Sequence, residues 1–142
     1  MKRIITKSVY FFAVLALCLS ISACSQSAQE NDIWSEALYT ENTELGSGGK
    51  TVLVDVVALE KTVTFTVHSD KDTLGEALSE HGLIEGEQGA YGLYVKKVNG
   101  ITADYDINQS YWGFNKNGEG MMTGVDGAHI EDGEHYELVY TK

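Results

Sequence analysis

Hydrophobic and polar positions change rhythm several times along the chain, and each change marks an element. From Thr51 the period is two. Val52, Val54 and Val56 alternate with Leu53 and Asp55, and Val63, Phe65 and Val67 alternate strictly with Thr62, Thr64 and Thr66. Alternation of this kind predicts half-buried strands, and the short "ALEK" between the two runs makes them a hairpin. The stretch "DTLGEALSEHG" then shifts to helical spacing. Leu74, Ala77, Leu78 and His81 fall on one face, Thr73 with Glu76 forms a capping box, and Gly82 ends the helix, which is expected over about Thr73–His81.

After a connecting "IEGEQGA", three further strands are expected. "YGLYVKKV" closes on an Asn99-Gly100 turn, "YWGFNK" turns back at Asn117-Gly118, and "YELVYT" follows Asp132-Gly133 near the end of the chain. A hairpin, one helix and several tightly turned strands give an α+β fold, a mixed sheet in the order of a β-grasp.

The N-terminus follows another logic. "MKRIITK" carries Lys2, Arg3 and Lys7 ahead of the apolar "VYFFAVLALCLSISA" and Cys24. This is the layout of a secretory signal, too short and wrongly flanked for a lasting membrane span. Ile21-Ser22-Ala23-Cys24 resembles a bacterial lipobox, in which the Cys24 thiol takes a diacylglycerol and becomes the new first residue. The expected organisation is a signal over 1–23, a polar and partly docked tether over 24–49, and one domain over 50–142. Trp34 argues for the partial docking, because an indole in a free linker is unusual. The expected location is the outer face of the cytoplasmic membrane, held by acyl chains.

Composition narrows the partners. Cleavage removes Cys18 and three basic residues, so the mature chain has one thiol and cannot close an internal disulfide. The formal charge of −11 becomes three units more negative. Such a surface repels nucleic acid and anionic lipid. His68, His81, His129 and His135 form no metal-spaced motif, and "DKDTLGEALSEH" puts Leu74 where a calcium loop needs oxygen. "HIEDGEH", 129–135, reads as a solvated turn before it reads as a weak cation site. With no nucleophile elbow, phosphate loop or Ser/His/Asp spacing, catalysis has no support in the sequence.

Alternation also asks which aromatics face away from the core. Leu93 and Val95 share a face with Tyr91 and Lys97, leaving Tyr94 on the other, beside Gly92 and Lys96. Trp112 and Phe114 share one face of "YWGFNK" and Tyr111 takes the other. Trp112 suits the core or a ligand contact, and Met121 and Met122 suit an adaptable apolar contact or ordinary gap filling.

"YGLYVKKVNGITADY", "YWGF", "TGV" and "EDGEHYELVY" resemble, in order and spacing, the C-terminal β-domain of transcobalamin and intrinsic factor. They resemble still more the transcobalamin-like domain of unknown function found in bacterial lipoproteins. The resemblance spans about residues 51–141 and implies a soluble-ligand-binding β-grasp, with cobalamin, another corrinoid or another small molecule as the ligand to consider. It implies ligand contacts at Tyr94, Trp112, Phe114, Met121, Met122, Thr123 and Gly124. The larger helical domain of the vitamin carriers, with its cobalt-ligating His, has no counterpart in these residues. The implied site is therefore half a site, open to completion by a membrane transporter or a helical partner domain. A protein-docking surface and, more weakly, metal capture by the acidic turns stand beside it.

Overall fold

The computed structural model describes residues 32–142. The expected signal, Cys24 and the tether up to residue 31 lie outside the described residues. Thr and Val alternation produces the first long pair, β2 (Lys50–Ala58) against β3 (Lys61–Ser69). The register sets Val52 opposite Val67, Val54 opposite Phe65 and Val56 opposite Val63. All six are at most 1% exposed. Their Thr, Leu53 and Asp55 neighbours face the other side, as a side-chain period of two requires.

Four more strands complete the main sheet. β1 (Thr43–Gly46) runs parallel to β3. β9 (His135–Thr141) runs parallel to β2, which sets Tyr136 beside Val54 and Leu138 beside Val56. β7 (Tyr111–Lys116) is antiparallel to β9, and β8 (Glu119–Gly120) returns along β7. The strand order is β1-β3-β2-β9-β7-β8. A hairpin, a helix and a last strand inserted parallel to the first strand of the hairpin make the β-grasp-like mixed sheet of an α+β fold.

The helix α1 (Leu74–Glu80) carries its expected caps. Thr73 accepts from the Glu76 N–H, Glu76 reaches back to the Thr73 N–H, and His81 caps the other end ahead of Gly82 at φ +65°. Leu74, Ala77 and Leu78 are fully buried on the sheet. Burial of this kind stabilises by roughly 1.5–3 kcal/mol per large side chain. His81, expected on that apolar face, is only partly buried.

The connecting stretch "IEGEQGA" is a strand. β4 (Ile84–Gly89), β5 (Gly92–Val98) and β6 (Ile101–Thr102) form a second, three-stranded sheet. β4 lacks an apolar alternation because all its residues after Ile84 are exposed. The sequence gives such an edge strand little to announce it. Register also shifts across this pair, from Glu85↔Lys97 to Gly86↔Val95, leaving Lys96 without a direct partner. One extra residue exchanges the faces of everything beyond it. Val98 therefore joins Leu93 and Val95 toward the core, while Lys97 turns to Glu85, 3.1 Å away. The expected sharing of a face by Lys97 with Leu93 and Val95 is corrected by this bulge.

The lead-in from Asp32 is part of the packed body. A 3-10 turn over Ile33–Glu36 buries Trp34, whose Nε1 donates to the Ala58 carbonyl at 3.0 Å beneath the Lys61 ammonium. Asn99, fully buried at φ +50°, holds the next residues down. Its Oδ1 accepts from the Tyr39 N–H at 2.9 Å, and its Nδ2 donates to the Tyr39 carbonyl at 2.8 Å. A buried amide with both ends paired costs little and fixes one register.

Candidate functional site

The site expected from the sequence is built around β7 and the loop that follows β8. Asn117 and Gly118 both adopt positive φ, +52° and +80°, the conformation of a type I′ hairpin turn. The turn returns the chain so that the Met121 N–H donates to the Phe114 carbonyl at 2.9 Å. Trp112 and Phe114 point to the inner face of the main sheet. The Trp112 ring meets Tyr140 edge-on with centroids 5.6 Å apart, and Phe114 stacks on Tyr136 at 5.8 Å.

This end of the core is thinly covered. Phe114, Met121, Tyr140, Leu93 and Val95 are half-buried, and Trp112 is 8% exposed. The Trp112 Nε1 is buried with no hydrogen-bond partner among the described residues. Most buried indole N–H groups find an acceptor, and this one is left unpaired beneath the margin of the core.

Beyond Met121 the chain leaves the core. Met122 is fully exposed, and Thr123 and Gly124 are also exposed. Gly124 then begins a 3-10 turn over Val125–Gly127, with Val125 buried. Asp126 in that turn fastens this loop to β5, its Oδ2 accepting from the Leu93 N–H at 2.9 Å. Next in the strand, Tyr94 projects from the other face and is 47% exposed.

Lys96 lies two residues further along β5. Its ammonium sits 3.3 Å from Glu87 and 3.6 Å from Asp104. The hydrogen bond it donates to Glu87 first, and the field of Asp104 after it, hold that ammonium above the usual lysine range against the opposing effect of desolvation.

The seven expected contact residues thus fall into three groups. Trp112, Phe114 and Met121 lie together along the thin margin of the core. Met122, Thr123 and Gly124 form the exposed loop beside it. Tyr94 stands on the outer face of β5. Asp126, which joins the loop to the strand, had no signal in the sequence beyond a turn-like "VDG". Tyr91, fully exposed at the tip of the β4–β5 hairpin, becomes visible once "IEGEQG" is known to be a strand.

Residues 71–142 match the family model described as domain of unknown function DUF4430. The chain belongs to that family. The match begins after the β2–β3 hairpin, although β2 is the central partner of β9 in the folded sheet. Among solved structures, this DUF4430 protein is similar to a provisionally named metal binding protein from Ruminococcus gnavus ATCC 29149. The two are 34% identical over 66% of this chain and 97% of the other, with a TM-score of 0.62.

It also shares its fold with haptocorrin, solved in complex with Cbi, at 19% identity and a TM-score of 0.56. That similarity covers 66% of this chain and 25% of haptocorrin, so it spans about a quarter of that protein's length. No curated protein matches. Among the described residues, no three His, Cys, Asp or Glu side chains gather as a metal-ligand set, and no helix is long and apolar enough to cross a membrane.

Proposed function

We propose that this DUF4430 protein is a lipid-anchored, extracytoplasmic module that binds a soluble ligand, with corrinoids as the class to test first. It performs no chemistry on the ligand. What carries the reading is the exposure of Tyr94 and Met122, at 47% and 100%, in the two segments that the Asp126 carboxylate ties together. Large apolar side chains on a braced scaffold offer contact area at small entropic cost, worth roughly 25 cal/mol per Å2 buried. The haptocorrin fold, in a structure that holds Cbi, supports the choice of ligand class. A transporter or helical partner would complete the site and receive the ligand, while acylated Cys24 would keep the module at the outer face of the cytoplasmic membrane.

Titration of the chain with cobalamin and with a corrinoid lacking the nucleotide tail tests this. Saturable heat and a change in corrinoid absorbance are expected, weakened by Tyr94→Ala and by Met122→Ala. No response up to millimolar corrinoid sinks the proposal.

A second reading, protein docking, draws on Tyr105 and Ile107, 59% and 80% exposed on the helical turn Tyr105–Asn108. Loss of transporter capture in an Ile107→Asp variant that still binds corrinoid would favour it. Metal capture draws on the acidic turn over residues 129–135 and on the name of the Ruminococcus protein. The acidic turn it would use is already engaged, Asp132 by the Thr51 N–H and Glu134 by Lys116 and Tyr136.

A further inference from the structure

The opposite edge of the main sheet carries a separate cavity. It lies where the glycine-rich loop after β1, the end of β3 and the C-terminal end of α1 meet, and it is half-open with a volume of about 420 Å3. The strand order places it three positions from β7, about 14 Å at the usual strand spacing. It therefore shares nothing with the margin around Trp112.

Several wall groups have structural duties. His68 is held through both ring nitrogens, by Thr51 at 2.9 Å and Glu44 at 2.7 Å, and Asp70 accepts from the Gly49 N–H at 2.8 Å. Others are free to act. Lys71 and Glu80 face one another at 3.9 Å, each about half exposed, a loose pair of the kind that contributes little to stability. His81 makes no side-chain hydrogen bond among the described residues. Its Nε2 is buried without a partner against Gly46, where an added Cβ would lie 2.8 Å from it. A buried ring nitrogen with no partner favours the tautomer whose proton sits on Nδ1, the nitrogen that is not enclosed. That leaves an unused donor at the wall, beside one ammonium and one carboxylate.

This combination selects a ligand class. A simple anion would meet the field of a chain with formal charge −11, and among the described residues no set of three ligating side chains gathers for a metal ion. An apolar molecule would strand the wall's charged groups. A molecule carrying both signs a few ångströms apart can pair with each.

We propose that the cavity binds a small zwitterion of the α-amino-acid class, its carboxylate held by Lys71 and His81 and its ammonium by Glu80. Lys71 and Glu80 exchange their loose mutual pairing for two charge-assisted hydrogen bonds to one ligand, each stronger than a neutral bond.

Calorimetric titration of the full chain with the twenty free L-amino acids, their N-acetyl forms and their amides tests the proposal. Saturable binding by at least one free amino acid is expected, with both blocked forms weaker by about tenfold or more. Lys71→Ala and Glu80→Gln, exposed positions that leave the fold intact, each weaken it by a similar factor. Tyr94→Ala leaves it unchanged, so failure of corrinoid binding and failure here are separate results. Absence of saturable heat from every free amino acid up to about 10 mM, a millimolar dissociation constant being already weak, overturns the proposal. So does equal binding of blocked and free forms, or unchanged affinity in both variants.

Discussion

The two halves of the main sheet are built from similar residues and packed to different depths. Under α1, β2 and β3 bury Val52, Val54, Val63, Phe65 and Val67 to 1% exposure or less. Across β9, the same inner face carries larger rings, yet Phe114, Tyr140 and Met121 are left half-buried and the Trp112 N–H is unpaired. The helix accounts for the difference. α1 presents a continuous Leu74, Ala77 and Leu78 surface, whereas β7 is covered by half-buried residues of β5. Complete cover gives stability, and incomplete cover leaves apolar area for something else to bury.

The sharpest test substitutes a phenylalanine in each half. Phe65→Ala should destabilise by about 3–5 kcal/mol, the range for emptying a close-packed aromatic site. Phe114→Ala should cost about half as much or less, because part of its ring is already in water. Urea unfolding with matched m-values measures both, and equal losses would erase the proposed contrast.

The second sheet supplies two intermediate effects. Asn99→Ala removes both partners of the Tyr39 backbone and puts Ala at φ +50°. Unpaired buried groups and a left-handed residue together should cost about 2–4 kcal/mol. Loss of amide protection at Leu38 and Tyr39 would locate the damage. Gly86→Ala acts on the bulged hairpin, where a Cβ would meet the Tyr94 carbonyl at 2.0 Å. Backbone must move, at about 1–3 kcal/mol. Hydrogen exchange should quicken in β4 and β5 and leave β2 and β3 protected; uniform quickening would mean that the two sheets open as one.

These positions show where sequence reading reached and stopped. Strict Val and Thr alternation, the capping box and two Asn-Gly turns report local physics, so β2, β3, α1, β7 and the β5–β6 turn were legible. β4 was not, because an edge strand exposed on both faces needs no apolar period. The bulge at Lys96 was equally silent, since a register depends on the partner strand. The site divides in the same way. Alternation separated Tyr94 from Leu93 and put Trp112 with Phe114, but the link from Asp126 to Leu93 spans 33 positions and leaves no local pattern.

A subtler effect lies at the seam between the halves. Partial burial pushes the Glu134 carboxyl up, but hydrogen bonds from Lys116, Tyr136 and the Glu131 N–H outweigh it and hold the group below the usual carboxylate range. The Tyr136 phenol, raised by burial and by Glu134, stays a donor throughout the ordinary pH range. A depressed carboxyl contributes stability above its unfolded value, about 4.3, and loses it as pH falls through the lower folded value. Wild type should therefore exceed Glu134→Gln at pH 7, and the gap should close on acidification below about pH 4. A gap independent of pH would assign the effect to packing.

The smallest expected stability change belongs to Met122→Ala. Met122 is fully exposed and touches no core residue, so truncation should alter unfolding by less than about 0.5 kcal/mol. Its neighbour Met121, half-buried against the core and tied by backbone to Phe114, should cost more when truncated. A corrinoid titration reverses that ranking if the exposed loop is the contact surface, because Met122→Ala removes ligand contact and no folded-state contact. Weaker binding at unchanged stability separates the two roles within one Met pair. Full corrinoid affinity in Met122→Ala would move the contact back onto the Trp112 margin, and the thinly covered half of the sheet would then have to supply it alone.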